Sequence, residues 1–230
     1  MRILLFFWAL CAWSQSGIEV PSAGAIVDPS GALRPVEGVA GSFLLGPATM
    51  SGVLSAACSN RLCLLKTDSK VLSATGKVDA PPGPAIFGAD GDGAIVFFPE
   101  PRTFARWHDN ILDPLDWTVE GEILSVRATE IAVRRDGHVW IVHPEDSVID
   151  WIADTTGPVL LLEDGVLFAT PEELVLRHRD GSENRFELVG AESIAAMGTN
   201  YATIRTRATI YALRTGPGRE SLYLLPGTLP

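Results

Sequence analysis

Short apolar runs separated by polar breaks recur along most of the chain. Runs such as AIVFF (94–98), VLLL (159–162) and LYLL (222–225) are rich in β-branched, aromatic and leucine residues. They are closed by Gly, Asp, Asn or Pro. Apolar residues do not recur at the three- and four-residue spacing of an amphipathic helix, so the pattern predicts strands almost throughout. The strands fall into groups of four. These groups begin near Ser42, Pro84, Glu122, Pro158 and Glu192, at spacings of 42, 38, 36 and 34 residues. Identity between the groups is low, and what repeats is the rhythm of strand and turn.

A repeat of about 40 residues with four short strands points to a β-propeller blade. One four-stranded sheet cannot bury both of its faces. Sheets stacked around an axis bury them against one another, and their strands then read as continuous apolar runs. The segment ILSVRATEIAVRRDGHVWIVHPEDSVIDWI (123–152) resembles a blade of the WD-repeat and related YVTN/NHL-type propellers. In those families a strand ending in an Asp-Gly turn leads into a strand of the kind seen here in RRDGHVWIV. The resemblance spans roughly residues 42–227 as architecture, without the Gly-His and Trp-Asp dipeptides of WD repeats. The expected fold is all-β, a propeller of five to six four-stranded blades, with a β-sandwich as the competing architecture. Upstream, GAIVDPSGALRPVEGV (24–39) reads as two strands joined by an Asp-Pro-Ser-Gly turn. That pair is either latched beside the last of five blades or part of a short sixth blade.

Composition narrows the class of protein. The chain is 47% hydrophobic and 20% charged, which suits a packed domain, and its formal charge is −10. Such a charge repels phosphate backbones and anionic lipid surfaces, so nucleic acid is not an expected partner. The first residues, MRILLFFWALCAWSQS, have the order of a secretory signal peptide: one arginine, an apolar run, then small residues. The run is about half the ~20 residues of a membrane-spanning helix. An uncleaved anchor is the alternative, and a lipoprotein through Cys11 is disfavoured by Leu10 before it. Residues 1–16 are therefore read as a signal and 17–230 as one domain. The expected product is extracytoplasmic (periplasmic or secreted), monomeric and not membrane-inserted.

Signal removal takes Cys11 and leaves Cys58 and Cys63. An even count in an exported chain predicts a disulfide. A hairpin turning at Asn60-Arg61 sets the two cysteines opposite each other, within disulfide reach. The alternative is a pair of buried thiols.

The densest chemistry lies in RRDGHVWIVHPED (134–146). His138 and His143 are five residues apart on a strand, so they point to opposite faces about 16 Å apart along it. They cannot share a metal, and the neighbouring acids belong to turns. Asp90 and Asp92 in GADGDG invite a calcium reading, but the oxygen donors that should follow are missing. No cofactor is otherwise expected. No nucleophile elbow, phosphate loop or zinc motif is present. The tryptophans Trp107, Trp117, Trp140 and Trp151 are read as packing between blades, with an aromatic patch for a partner or sugar as the alternative. First strands of propeller blades end near the axis, which nominates Asp90, Arg127, Glu163 and Asp164 as binding residues. The expected function is an exported, non-catalytic binding or scaffolding module for a protein or small ligand. The alternative is a propeller-type hydrolase or lyase acting on a carbohydrate or lactone.

Overall fold

A computed structural model describes residues 21–59, 61–144, 147–152 and 155–227, apart from the side chains of Asp90, Trp151 and Ile152. The signal segment 1–16 lies outside these residues. Every regular element described is a strand, and the strands form six antiparallel sheets arranged as the blades of a propeller. Blade 1 holds β1 (Ser22–Val27), β2 (Leu33–Val39) and β3 (Ser42–Leu45). Blade 2 holds β4 (Ser55–Cys58), β5 (Cys63–Lys66), β6 (Lys70–Leu72) and β7 (Lys77–Asp79). Blade 3 holds β8 (Ile86–Asp90), β9 (Gly93–Phe98), β10 (Thr103–His108) and β11 (Ile111–Leu115). Blade 4 holds β12 (Glu122–Arg127), β13 (Glu130–Arg135), β14 (His138–Val142) and β15 (Val148–Ile152). Blade 5 holds β16 (Val159–Leu162), β17 (Gly165–Ala169), β18 (Glu173–His178) and β19 (Glu183–Glu187). Blade 6 holds β20 (Ala191–Gly198), β21 (Tyr201–Thr206), β22 (Ile210–Arg214) and β23 (Ser221–Leu224).

Of the two pictures left open by the sequence, the structure selects six blades with one short. The expected framing of the first group is corrected. The Ser42 run closes blade 1, blade 2 starts at Ser55, and residues 70–79 hold two strands, β6 and β7. An apolar run reports that a strand is half-buried or buried, and nothing in it names the sheet that strand joins.

The blade interfaces explain the apolar runs. On β9, Ala94, Val96 and Phe98 pack with Leu64, Val71 and Trp107, between blades 2 and 3. The alternate residues Ile95 and Phe97 pack with Ile123, Ile131 and Val133, between blades 3 and 4. One strand thus feeds two cores, as the two-residue period of a strand requires. The same holds for β13, whose Ala132 turns to Val159, Val166 and Phe168 of blade 5. Asp136 and Gly137, both at positive φ, make the tight turn between β13 and β14. Trp140 and Trp151 are direct partners across β14 and β15.

In blades 2–6 the four strands alternate, and a short linker carries the outermost strand to the next first strand. All these linkers lie on one face, called the lower face here, so β4, β8, β12, β16 and β20 all rise from it. Blade 1 has an odd number of strands and must differ. Past β3 the chain continues down β2: Gly46 N–H donates to Pro35 C=O, Leu33 N–H to Met50 C=O and Val53 N–H to Gly31 C=O. It reaches the lower face before β4 begins, so β1 descends where the other first strands rise. The contacts of β1 with blade 6 agree. Gly24 abuts Met197 and Gly198 at the upper end of β20. Val27 C=O is bonded by Arg205, which pairs with Ser193 near the lower end of β20. Blade 1 therefore has the polarity of a second, third and fourth strand, and no first strand accompanies them among the described residues. β20 approaches both β1 and β4.

Among the described residues no strand is shared across the seam between blades 6 and 1. Packing closes it: Ala23, Ile26, Val36 and Phe43 meet Met197, Ile210, Ala212 and Leu225. Phe43 also makes edge contacts with Tyr201 and Tyr223, each with ring centroids 5.7 Å apart.

Candidate functional site

The residues nominated from the sequence lie on the upper face. Asp90 ends β8, Arg127 ends β12, and Glu163 and Asp164 form the β16–β17 turn. Arg127 Nη2 stands 3.6 Å from Glu163 Oε2, across the interface of blades 4 and 5. The carbonyl groups of Glu163 and Asp164 accept from Arg179, at Nε and backbone N–H respectively. The Arg179 guanidinium makes a two-pronged pair with Glu130 at 3.0 and 2.9 Å. Further contacts continue round this face. His178 and Glu220 are 3.3 Å apart, Asn110 Oδ1 accepts from Ser73 and Thr75, and Arg61 faces Asp92 at 3.5 Å. Backbone N–H donors, with Gly218 among them, hold the Glu220 carboxyl below the usual range. The Cys58–Cys63 disulfide closes the β4–β5 hairpin here, and the two cysteines are partners in the strand register. The structure brings Arg127, Glu163 and Asp164 together as one inter-blade cluster. None of the three lines the cavity described below.

The histidines stay apart. His138 opens β14 opposite Arg135, while His143 Nδ1 lies 3.2 Å from Thr129 C=O. His108 pairs with Asp113 at 2.8 Å. Among the described residues no three His, Cys, Asp or Glu side chains come together as a metal group.

A recess of about 440 Å³ lies at the lower face between the axis and the seam. All six blades contribute to it, and residues 25–29 and 31 of blade 1 supply one wall. Its described lining is mostly aliphatic or small, including Ala56, Ala57, Ala85, Ala195 and Ala196. The exposed residues Pro29 and Leu54 stand at its lower rim. Two of its hydroxyls have local duties: Ser125 Oγ accepts from Leu161 N–H at 3.0 Å, and Ser55 Oγ donates to Ala85 C=O at 2.7 Å.

Two charged residues line the recess, and they differ. Asp28 is fully engaged. It accepts from the Ser30 hydroxyl at 2.6 Å, Arg34 Nε at 2.7 Å and the Ser30 and Ala32 N–H groups. The Ser30 hydroxyl and then Arg34 hold its carboxyl far below the usual range. Arg205, half-buried, donates from Nη2 to Val27 C=O at 2.5 Å and has no carboxylate partner among the described residues. A guanidinium stays charged at any working pH and cannot act as a general base.

Sequence reasoning missed Arg205 and the recess, although a signal was present. On β21, Ala202 and Ile204 pack toward blade 5, so Thr203 and Arg205 face blade 1. A strand between two sheets should be apolar on both faces, as GVLFA is. Alternation in YATIRT marks a face that no full sheet covers. Another cation, the buried Lys66, donates to Thr67 and Asp68 C=O at 2.6 and 2.8 Å, and burial lowers its pKa. It lies outside the recess.

No protein-family model matches the chain, and no curated protein matches it. Solved structures share its shape. A chain of a nidogen/laminin complex is similar over 89% of this chain and 94% of its own length, with a TM-score of 0.59 and 9% identity. PorZ of Porphyromonas gingivalis, described as an essential bacterial surface component of the type-IX secretion system, is similar over 90% of this chain at a TM-score of 0.50 and 11% identity. This chain spans 38% of PorZ. The Pan2 WD40 domain of Neurospora crassa is similar over 90% of this chain and 80% of its own, with a TM-score of 0.49 and 10% identity. At such identities the likeness is one of fold, and the chain is a six-bladed β-propeller without the signature of a particular family.

Proposed function

We propose that this protein is an exported binding module that holds a protein partner without transforming it. The observation that carries the reading is the chemistry of the lower-face recess. Its described wall combines aliphatic and small side chains with an Arg205 that has no carboxylate partner, and its other charged residue, Asp28, is committed to Arg34 and Ser30. Acid–base catalysis draws on groups that exchange protons near neutral pH, whereas an arginine recognises and orients. On the upper face, Arg127 and Glu163 are paired with each other, which suits a rigid platform. The disulfide supports an extracytoplasmic location, since such bonds persist in oxidising compartments. The likeness to PorZ, a surface component, and to a chain of a two-protein complex agrees with this reading.

The test is affinity capture of the tagged mature protein from its own cell envelope, run beside a panel of chromogenic glycosides and lactones. The expected result is a partner recovered in near-equal amount and no turnover. Turnover that disappears in Arg127→Gln would overturn the reading in favour of a hydrolase or lyase.

A further inference from the structure

Among the described residues no first strand covers the inner backbone edge of blade 1, and the register shows which groups lie on it. On β2, Pro35 C=O accepts from Gly46, while Leu33 bonds Met50 through its N–H and Thr49 through its C=O. The polar groups of Pro35 and Leu33 therefore face β3. Their partners on β1 are Ala25 and Val27. In an antiparallel pair, opposite residues bond each other at alternate positions only. Ala25 and Val27 thus turn their N–H and C=O groups away from β2, and both residues line the recess. One of these four groups, Val27 C=O, is met by Arg205. Among the described residues, no hydrogen bond reaches the other three.

We propose that the recess takes an extended segment of a partner protein, which adds to β1 as the absent first strand of blade 1 and sets an acidic side chain on Arg205. The proposal rests on the binding-module reading above and names the chemistry of the partner. Strand addition suits the site because the main chain supplies the affinity and alternate side chains supply the selectivity. The added strand runs antiparallel to β1 and so rises from the lower face, as the first strands of the other five blades do. It exchanges both hydrogen bonds with Ala25. Arg205 moves from Val27 C=O to the incoming carboxylate, which frees that carbonyl for the ladder. Small walls such as Ala56, Ala57 and Ala195 leave room for β-branched side chains, and about 440 Å³ lies within the usual range of ligand sites. An acid is specified because Arg205 is a cation without a carboxylate partner among the described residues, while the neighbouring Asp28 is already paired with Arg34.

The probe is a random dodecapeptide library displayed on phage and selected against the mature protein. Enriched peptides are expected to carry an acid followed by alternating small or β-branched residues. The best of them, made synthetically, should bind at least tenfold more weakly to Ala25→Pro and to Arg205→Gln. Ala25→Pro deletes an N–H that points into the recess and leaves the β1–β2 ladder whole. If that variant fails to fold, N-methylation of alternate peptide bonds in the synthetic peptide tests the same ladder on the unaltered protein, and a tenfold loss is again expected. Failure to enrich any peptide, or enriched peptides indifferent to both variants and to N-methylation, would sink the proposal. A partner captured from the envelope whose binding ignores both variants leaves the binding-module reading intact while refuting the strand site.

Discussion

Closure of the ring chiefly by side-chain packing makes the seam glycines a quantitative test. At Gly198 the backbone is ordinary, but a Cβ would sit 2.3 Å from Ala23 C=O, where contact normally begins near 3.4 Å. Blades 6 and 1 would have to part by about 1 Å around a core in which Met197 is fully buried, and overpacking of this kind costs about 1–3 kcal/mol. Gly52 offers the opposite case: its φ is +72°, and nothing lies within 4 Å of an added Cβ. Alanine there should cost about 1–2 kcal/mol from backbone strain alone. Gly24 combines a φ of +133° with a Cβ only 1.7 Å from Met197 C=O. Gly24→Ala should therefore exceed either single effect, at about 3–5 kcal/mol. Urea unfolding followed by tryptophan fluorescence gives all three values. The double variant of Gly24 and Gly198 should fall short of additivity, because the two sites share one contact. If Gly198→Ala lies within about 0.5 kcal/mol of the parent, the seam is not a packed interface and the account of ring closure is wrong.

Two further predictions follow from the same structure. Replacing Cys58 and Cys63 together by serine should cost about 2 kcal/mol, the low end for a disulfide because the loop it closes is short; equal urea midpoints for the two proteins would contradict this. Asp28 has a folded-state pKa depressed below its unfolded value, so its contribution is complete above about pH 4 and is lost as the pH falls further. Acid unfolding curves of the parent and Asp28→Asn should therefore converge as the pH drops below that value, and a constant offset across the range would refute the assignment.

The inner strands of blades 3 to 6 were legible because they are sandwiched between neighbouring sheets. A strand such as GVLFA, apolar on both faces, announces its own burial, and Asp-Gly turns mark its ends. The pair AIVD and ALRPVEG was legible for the same local reasons. The framing of blades 1 and 2 was not, since the extended stretch from Gly46 to Val53 carries no turn that separates one sheet from the next. Arg127 and Glu163 were found as ends of first strands, but their pairing was not visible, since they come from different blades. Arg205 was overlooked because one charged residue in a strand looks like a solvent-facing position until its neighbours are known.

The amino-acid pattern by itself determined the all-β class, the repeat, the Cys58–Cys63 bond and the separation of His138 from His143. These follow from local facts: a two-residue side-chain period, the conformations open to glycine and aspartate, and the spacing of two cysteines about one turn. Tertiary structure alone decided how many blades close the ring, that β1 descends where the other first strands rise, and that Ala25, Val27 and Arg205 share a recess. Those outcomes depend on contacts between residues far apart along the chain, 178 positions in the case of Arg205 and Val27. Such contacts are set by how whole sheets pack, and no window along the chain contains both partners.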